Sequence, residues 1–423
     1  MTWPIVSVGD VCLATAQADP ARLGRSTFRY VDISGVDREA KAIIKSDELP
    51  ADDAPSRARK LIEASDILVS TVRPNLNAIA FVPPELDGEI ASTGFSVLRA
   101  NENVASAKFL YYWAQHTRFV DFLVAKATGA SYPAVSDAIV KQAPLPLPPL
   151  REQHRIVELL EQADALRRLR READAKSTRI LPALFLDMFG DPATNPMGWP
   201  TDRLDRLFDV YGGGTPSTTI AEYWQGDIPW VSPKDMKVDV ITDTEDRISE
   251  QAIANSATKL VEKGSVLIVY RSGILAHTFP VAIAGRSVTL NQDLKALRTK
   301  SDVSNELLYG LLLASQSLAL SCVKKGATVH NIDGGRFLAL QIPKPPKVLQ
   351  ERFAERMHMV MRIKGENIPT ASRLERTFGL LLQKAFTGEL TSKWRHTRMH
   401  ELLAEMEQQA KALDLPMPKE IPA

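Results

Sequence analysis

Two halves of this chain echo each other at a nearly fixed separation, and that pattern excludes a single large core. MTWP at 1–4 returns as MGWP at 197–200, and DILVSTVRP at 66–74 as SVLIVYRSG at 265–273. LYY at 110–112 pairs with LYG at 308–310, and GASYPAV at 129–135 with GATVHNI at 326–332. APLPLPPLREQHR at 143–155 pairs with LQIPKPPKVLQER at 340–352, and Phe189 falls opposite Phe386. The offset stays close to 197 through every block, in order, which chance matches do not produce. Solenoid repeats run to roughly 20–50 residues, so this is a duplicated module instead. A chain of 423 residues is then two such units plus a tail, a pseudo-two-fold object.

Each copy has the same internal order. DILVST (66–71), IAFVP (79–83), SVLIVYR (265–271) and PVAIA (280–284) read as strands, being short and β-branched. The stretches 108–127 and 305–324 read as helices with a wide apolar stripe. The run 307–323 is the most apolar in the chain, but it is short for a membrane span and carries Gln316, so a buried helix is expected. Each module closes with a proline strap, PLPLPP (144–149) or PKPP (343–346), expected to be an extended hinge. A long helical segment follows each strap. In the first, Ile156, Leu159, Ala163 and Leu166 recur at helical spacing; in the second, Met357, Val360, Leu374, Phe378 and Leu381 do so. Such seams favour pairing of the two helices with each other over packing each on its own module. Pro182, and Gly365 with Pro369, should kink or interrupt them. The resulting division is 1–149, 150–193, 194–346, 347–393 and a helical tail at 394–423, whose Met399, Leu402, Leu403, Met406 and Ala410 share one face.

Catalytic signatures are missing. There is no adenine-amination motif, no Rossmann fingerprint, no Walker A loop and no nucleophile elbow. GGG at 212–214 lacks the context of a phosphate cradle and reads as a flexible turn. His396 and His400 lack the intervening Glu of a zinc helix, and two cysteines cannot make a multi-Cys metal site or a disulfide framework. The start carries no basic segment followed by an apolar run, so no signal peptide is expected and the chain reads as cytosolic.

Three blocks are similar to a known family: YGGGTPSTTIAEYWQGDIPWVSPKDM at 211–236, PLPPLREQHRIVELL at 146–160 and TFGLLLQKAFTGEL at 377–390. With the duplication, they resemble the specificity subunit of a type I restriction–modification system over residues 1–393. The resemblance implies an α+β protein with two tandem mixed α/β target recognition domains, joined by two long antiparallel, coiled-coil-like helices. Each domain would read one half of a bipartite, asymmetric site in double-stranded DNA. The helices would set the spacer and dock two methyltransferase subunits, with restriction/translocase subunits completing the assembly. S-adenosylmethionine, ATP and Mg would sit in those partners; this chain would hold no cofactor, no metal and no catalytic residue. The first module lacks the GGTPS–YW–IPW block and has ATAQADPARLGRSTFRYVDISGVD at 14–37 instead, as two different half-sites would require. A methylation-only complex, or a two-domain scaffold without a DNA role, remains an alternative.

Base reading needs donors and acceptors on groove-facing loops, with Lys and Arg near phosphates. The loops after the matched strands offer Arg73 and Asn75, and Arg271 and Ser272. The loops before the straps offer Ser131 and Tyr132, and Lys324, Lys325, His330 and Asn331; Lys234 follows the IPW block. The chain is only +1 overall, with the modules at −2 and zero, so the free chain is expected to hold DNA weakly.

Overall fold

The computed structural model describes residues 3–326 and 328–414, with the side chains of 367–369 excepted. Contacts divide the chain into two units, Met1–Arg170 with Ala371–Ala423, and Arg171–Thr370. Each unit thus takes one module together with part of both long helices, rather than following the linear segments.

In the first unit, two four-stranded sheets carry the module. One runs in the order Asp47–Pro50, Thr27–Val31, Ile90–Ser92, Ala58–Leu61; the other Cys12–Leu13, Phe95–Ala100, Ile67–Ser70, Ile79–Phe81. Ile67, Leu68 and Val69 are all buried, which explains a continuous apolar run in place of alternation. The expected helix at 108–127 is two helices, Ala107–Gln115 and Thr117–Lys126. His116 divides them: its extended backbone ends one helix, and its Nδ1 caps the next by accepting the Arg118 N–H at 3.1 Å. Ala107–Gln115 is buried nearly all round, because the ends of the long helices cover its second side: Phe386 packs on Phe109 and Trp113, and Phe378 on Tyr112.

The second unit repeats the plan. Phe208–Gly212, Leu294–Thr299, Val266–Val269, Val281–Ala284 and Val240–Ile241 form a five-stranded sheet, beside a three-stranded one of Arg247–Ile248, Ile228–Val231 and Thr289–Leu290. Parallel pairing of Thr27–Val31 with Ile90–Ser92 has its counterpart in Ile228–Val231 with Thr289–Leu290. The run at 305–324 divides at Ser315 into Asn305–Ala314 and Gln316–Leu320, then continues as strand Val323–Lys324. Phe185 and Phe189 meet Phe353 of the second long helix at ring separations of 5.7 and 5.5 Å. Among the described residues no helix is long and apolar enough to cross a membrane.

Several expectations need correction. The straps are not free hinges: Pro144–Pro146 pairs antiparallel with Ile5–Ser7, and Gln341–Pro343 with Thr201–Arg203. Prolines fit there because a two-stranded edge needs donors on one side only. Gly212 ends a strand, and Gly213 and Gly214 are packed against backbone, since a Cβ on Gly213 would lie 1.9 Å from the Asn291 carbonyl oxygen. GGG is therefore a close-approach element and not a flexible turn. The second long helix, Lys347–Thr387, is continuous through Gly365 and Pro369. The first long helix does stop, at Ser177, and a second helix, Ile180–Phe189, takes Pro182 in its first turn.

Along the helix seam, Ile156 and Met357 are buried; Leu159, Ala163, Val360, Leu374 and Leu381 are half-buried; Phe378 is buried. Leu166 is the exception, 57 % exposed, because Arg167 takes the inward position. The Arg167 guanidinium lies 3.9 Å above the Phe378 ring and donates to Glu375 Oε2 at 2.9 and 2.6 Å, tying the two helices together within the first unit. The tail helix Met399–Ala412 buries Leu402, Met406 and Ala410 in the same unit, while Leu403 is only half-buried; residues 415–423 lie outside the described part.

Candidate nucleic-acid interface

The two candidate loops of each module lie far apart in sequence, and each module brings its pair together. In the first, strand Ile67–Ser70 runs on into Thr71 and Arg73. Val135 N–H donates to the Thr71 carbonyl at 2.9 Å, and Arg73 N–H to the Pro133 carbonyl at 2.7 Å. Reciprocal bonds between Thr128 and Ala134 at 3.0 and 2.9 Å close the second loop, with Gly129 at φ +102. Its tip holds Ser131 and Tyr132, both exposed. The Arg73 guanidinium lies 4.5 Å above the Tyr132 ring.

Backbone strain concentrates here. Arg73 (φ 50, ψ 61) and Asn77 (φ 46, ψ 51) are left-handed residues flanking the single turn Pro74–Leu76, which carries exposed Asn75. Facing this turn is the hairpin Val36–Asp37/Ala42–Ile43, in which Lys41 is also left-handed, at φ 53. Such conformations persist only where surrounding contacts enforce them, and they gather at functional sites. The enforcing contacts are visible: Lys41 Nζ donates to the Asn77 carbonyl at 2.5 Å, and Tyr111 Oη to the Lys41 carbonyl at 3.0 Å. Burial, with Arg167 and Arg38 nearby, pushes the Lys41 amine down to about 8. Between hairpin and turn lies a cleft of about 940 Å³, lined among others by Ser34, Asp37, Arg38, Glu39, Arg73 and Tyr132.

The second module joins its loops differently. Arg271–Ser272 pairs antiparallel with His330–Ile332, placing Arg271 opposite Asn331 and Ser272 opposite His330, and Val323–Lys324 adds a third strand. His330 Nδ1 accepts the Gly326 N–H at 3.2 Å. Arg271, Asn331 and Lys325 are exposed; Ser272 and His330 are half-buried. Lys324 is engaged with Asp333 at 3.1 Å, and that pairing lowers the Asp333 carboxyl below its usual range. Lys234 stands apart from these loops in its contacts, bound to Glu245 and Asp246 at 2.9 Å each, which holds its ammonium above the ordinary lysine value. Lys324 and Lys234 are thus each held by carboxylates, whereas among the described residues Lys325 makes no ion pair.

Two features escaped sequence reasoning. Lys41 carries no local signal, because its role comes from a carbonyl in a distant turn. Lys295, 3.9 Å above the Tyr270 ring and lowered by burial, sits beside the strand that leads to Arg271; only its place in Leu294–Thr299 hinted at it.

Duplicated mixed α/β modules, each bringing an arginine loop beside a second loop and each taking part of both long helices, define a tandem two-module protein. The comparisons agree. The model of the type I restriction modification DNA specificity domain matches residues 40–175 and 196–370. The chain is 31 % identical over 269 residues to the type I restriction enzyme EcoR124I/EcoR124II specificity subunit of Escherichia coli, covering 61 % of this chain and 64 % of that protein. It is 33 % identical over 163 residues to the MjaIX specificity subunit of Methanocaldococcus jannaschii, covering 38 % of this chain and 37 % of that one. These matches thus span less than two thirds of either relative. A solved chain described under complex assembly and conformational transition of the type I R-M system is 31 % identical, with TM-score 0.55, covering 92 % of this chain and 98 % of that one. The chain belongs to the type I restriction–modification DNA specificity family.

Proposed function

We propose that this chain chooses the DNA sequence for a multi-subunit restriction–modification complex, each module reading one half of a bipartite, asymmetric duplex site. The observation that carries this is the convergence, in both copies, of an Arg loop with a second loop: Arg73 with Tyr132, and Arg271 with His330. Both pairs fall at the same repeat offset of 198. A scaffold without a DNA role would have no reason to keep an arginine and a ring at one duplicated surface while the surrounding loops diverge.

The chain contributes specificity and no chemistry. Two methyltransferase subunits dock on the helices and supply S-adenosylmethionine and the adenine-methylating centre; restriction/translocase subunits supply ATP- and Mg-dependent translocation and cleavage. Near-neutral modules fit this division, because closure of partners around the duplex then provides much of the phosphate contact. The helices set the spacer: the 41 residues of Lys347–Thr387 span roughly 60 Å, or about 18 base pairs.

The test is methylation of genomic DNA by the chain with its methyltransferase partner, followed by mapping of methylated adenines. A bipartite motif with a fixed spacer is expected, and removing one heptad from both helices should shorten that spacer. Absence of any motif, or an unaltered spacer in the shortened variant, contradicts the reading. Cleavage assays with the translocase present distinguish a restricting complex from a methylation-only one.

A further inference from the structure

We infer that Arg73 is the guanine-reading residue of the first module, with Tyr132 as the plane that orients it and the major-groove edge of a G·C pair as its ligand. The inference rests on the proposed function and goes beyond it by naming the base.

Arginine on a DNA-binding surface serves either as a point charge on a phosphate or as a planar fork on guanine O6 and N7. The first use needs reach and freedom, and the second a fixed plane. In Arg73 the backbone is fixed and a ring lies against the guanidinium. Its amide is anchored to Pro133 at 2.7 Å, and its backbone is held left-handed at the head of a closed turn, Leu76 N–H donating back to the Arg73 carbonyl at 2.9 Å. The guanidinium then stacks at 4.5 Å on a ring carried by the second loop. Stacking occupies a face of the guanidinium and leaves its in-plane N–H groups to point outward. Among the described residues, no ion pair or hydrogen bond from that guanidinium to the protein competes for them. Other arginines of the module are committed, Arg99 to Asp66 and Glu63 and Arg25 to Glu89, and Arg38 of the same cleft has no ring against it among the described residues. Among the described residues Arg73 is an exposed arginine set against a ring and without a carboxylate partner, lining a cleft of about 940 Å³. The strain at Arg73, Asn77 and Lys41 is then explained, since it fixes the direction from which the fork approaches. Exposed Glu39 on the opposite wall lies in the same cleft as an acceptor suited to the cytosine amino group.

The experiment uses the complex of this chain with its methyltransferase partner and duplexes bearing its mapped site. Each guanine of the site, on either strand, is replaced in turn by 7-deazaguanine, which removes the N7 acceptor and leaves Watson–Crick pairing intact. The wild-type complex is expected to lose on the order of 10-fold in affinity at one guanine. Arg73→Ala should bind the unmodified duplex correspondingly more weakly and become indifferent to deaza substitution at that guanine only. Tyr132→Leu should halve the discrimination or worse, and Tyr132→Phe should keep it. If no guanine shows a sensitivity that disappears in Arg73→Ala, the inference is overturned. Arg73→Lys should lose most of that discrimination because an ammonium lacks the planar fork, and full retention of it would overturn the assignment of a fork. If the wild-type complex methylates no bipartite site, the proposed function itself has failed, and the inference with it.

Discussion

In the first module Gln153 Nε2 donates to the carbonyls of Val104 (3.0 Å) and Pro148 (2.8 Å), while its Oε1 accepts the Ser106 N–H (2.9 Å). In the second, Gln350 Nε2 donates to Asp302 (3.3 Å) and Pro345 (2.9 Å), and its Oε1 accepts the Ser304 N–H (2.8 Å). The same buried amide, at the repeat offset of 197, fastens each strap and each long-helix start to its module. One residue earlier the copies part. Glu152 is fully buried and accepts from Trp3 Nε1 (3.1 Å), Thr391 Oγ1 (2.6 Å) and Arg395 Nε (2.7 Å); its counterpart is Leu349. The carboxylate ties the chain's start and its C-terminal part to the first module, and Gln409 of the tail helix adds bonds to Val104 (2.9 Å) and Pro148 (3.4 Å). Duplication kept the fastening and altered what is fastened to it. The candidate loops diverged further, into a strained turn in one copy and a small sheet in the other.

The largest effect expected from this asymmetry is at Glu152. Glu152→Ala leaves Arg395, 13 % exposed, without its buried partner, and should destabilise the first unit by about 3–5 kcal/mol. Leu349→Ala removes only apolar packing in the second. Urea unfolding of the full chain, followed by tryptophan fluorescence, should show the earlier transition in Glu152→Ala; equal losses in both variants would refute the distinction. Next is the shared amide. Gln350→Leu strands three backbone groups and should cost about 3 kcal/mol, whereas Gln153→Leu should cost less, because Gln409 still serves Val104 and Pro148. Adding Gln409→Leu to Gln153→Leu should bring the two modules level, and a double variant no worse than the single would contradict the shared-acceptor geometry. Gly213→Ala comes third, at about 2 kcal/mol and confined to the second unit, since its Cβ would meet the Asn291 carbonyl.

The smallest effect is pH-dependent and belongs to the first unit. Burial holds the Lys41 amine at about 8, below its unfolded value, so its charged form is disfavoured in the fold. That penalty is fully present below the folded value and is relieved as pH rises from there to the ordinary lysine value, because the unfolded chain then binds more protons. Stability of the first unit should rise across that window in wild type relative to Lys41→Met. Urea midpoints that run parallel with pH in the two proteins would rule this out.

The sequence made some of this readable and hid the rest for physical reasons. Strands Ile67–Ser70 and Val266–Val269 stood out because β-branched runs have few other uses. The duplication stood out because straps and helix starts repeat the same packing. The break at His116 was invisible, as its residue type serves in a helix interior as well as at a cap. GGG looked loose because a glycine needed for close approach and one used for flexibility are the same letter. Leu166 followed the helical period, yet Arg167 reaches the seam by stacking on Phe378, an option that apolar spacing does not register. At the candidate interface both loops of each module were legible, whereas the left-handed turn was not: its residues, Arg73 and Asn77, carry no glycine to announce it.

The central claim is that each module reads its own half-site. It is tested most directly by exchanging residues 1–149 for the matching segment of the Escherichia coli relative and mapping methylated adenines in cells that carry the methyltransferase partner. The account predicts that one half of the bipartite motif changes while the other half and the spacer persist. A change in both halves, or in neither, would contradict it.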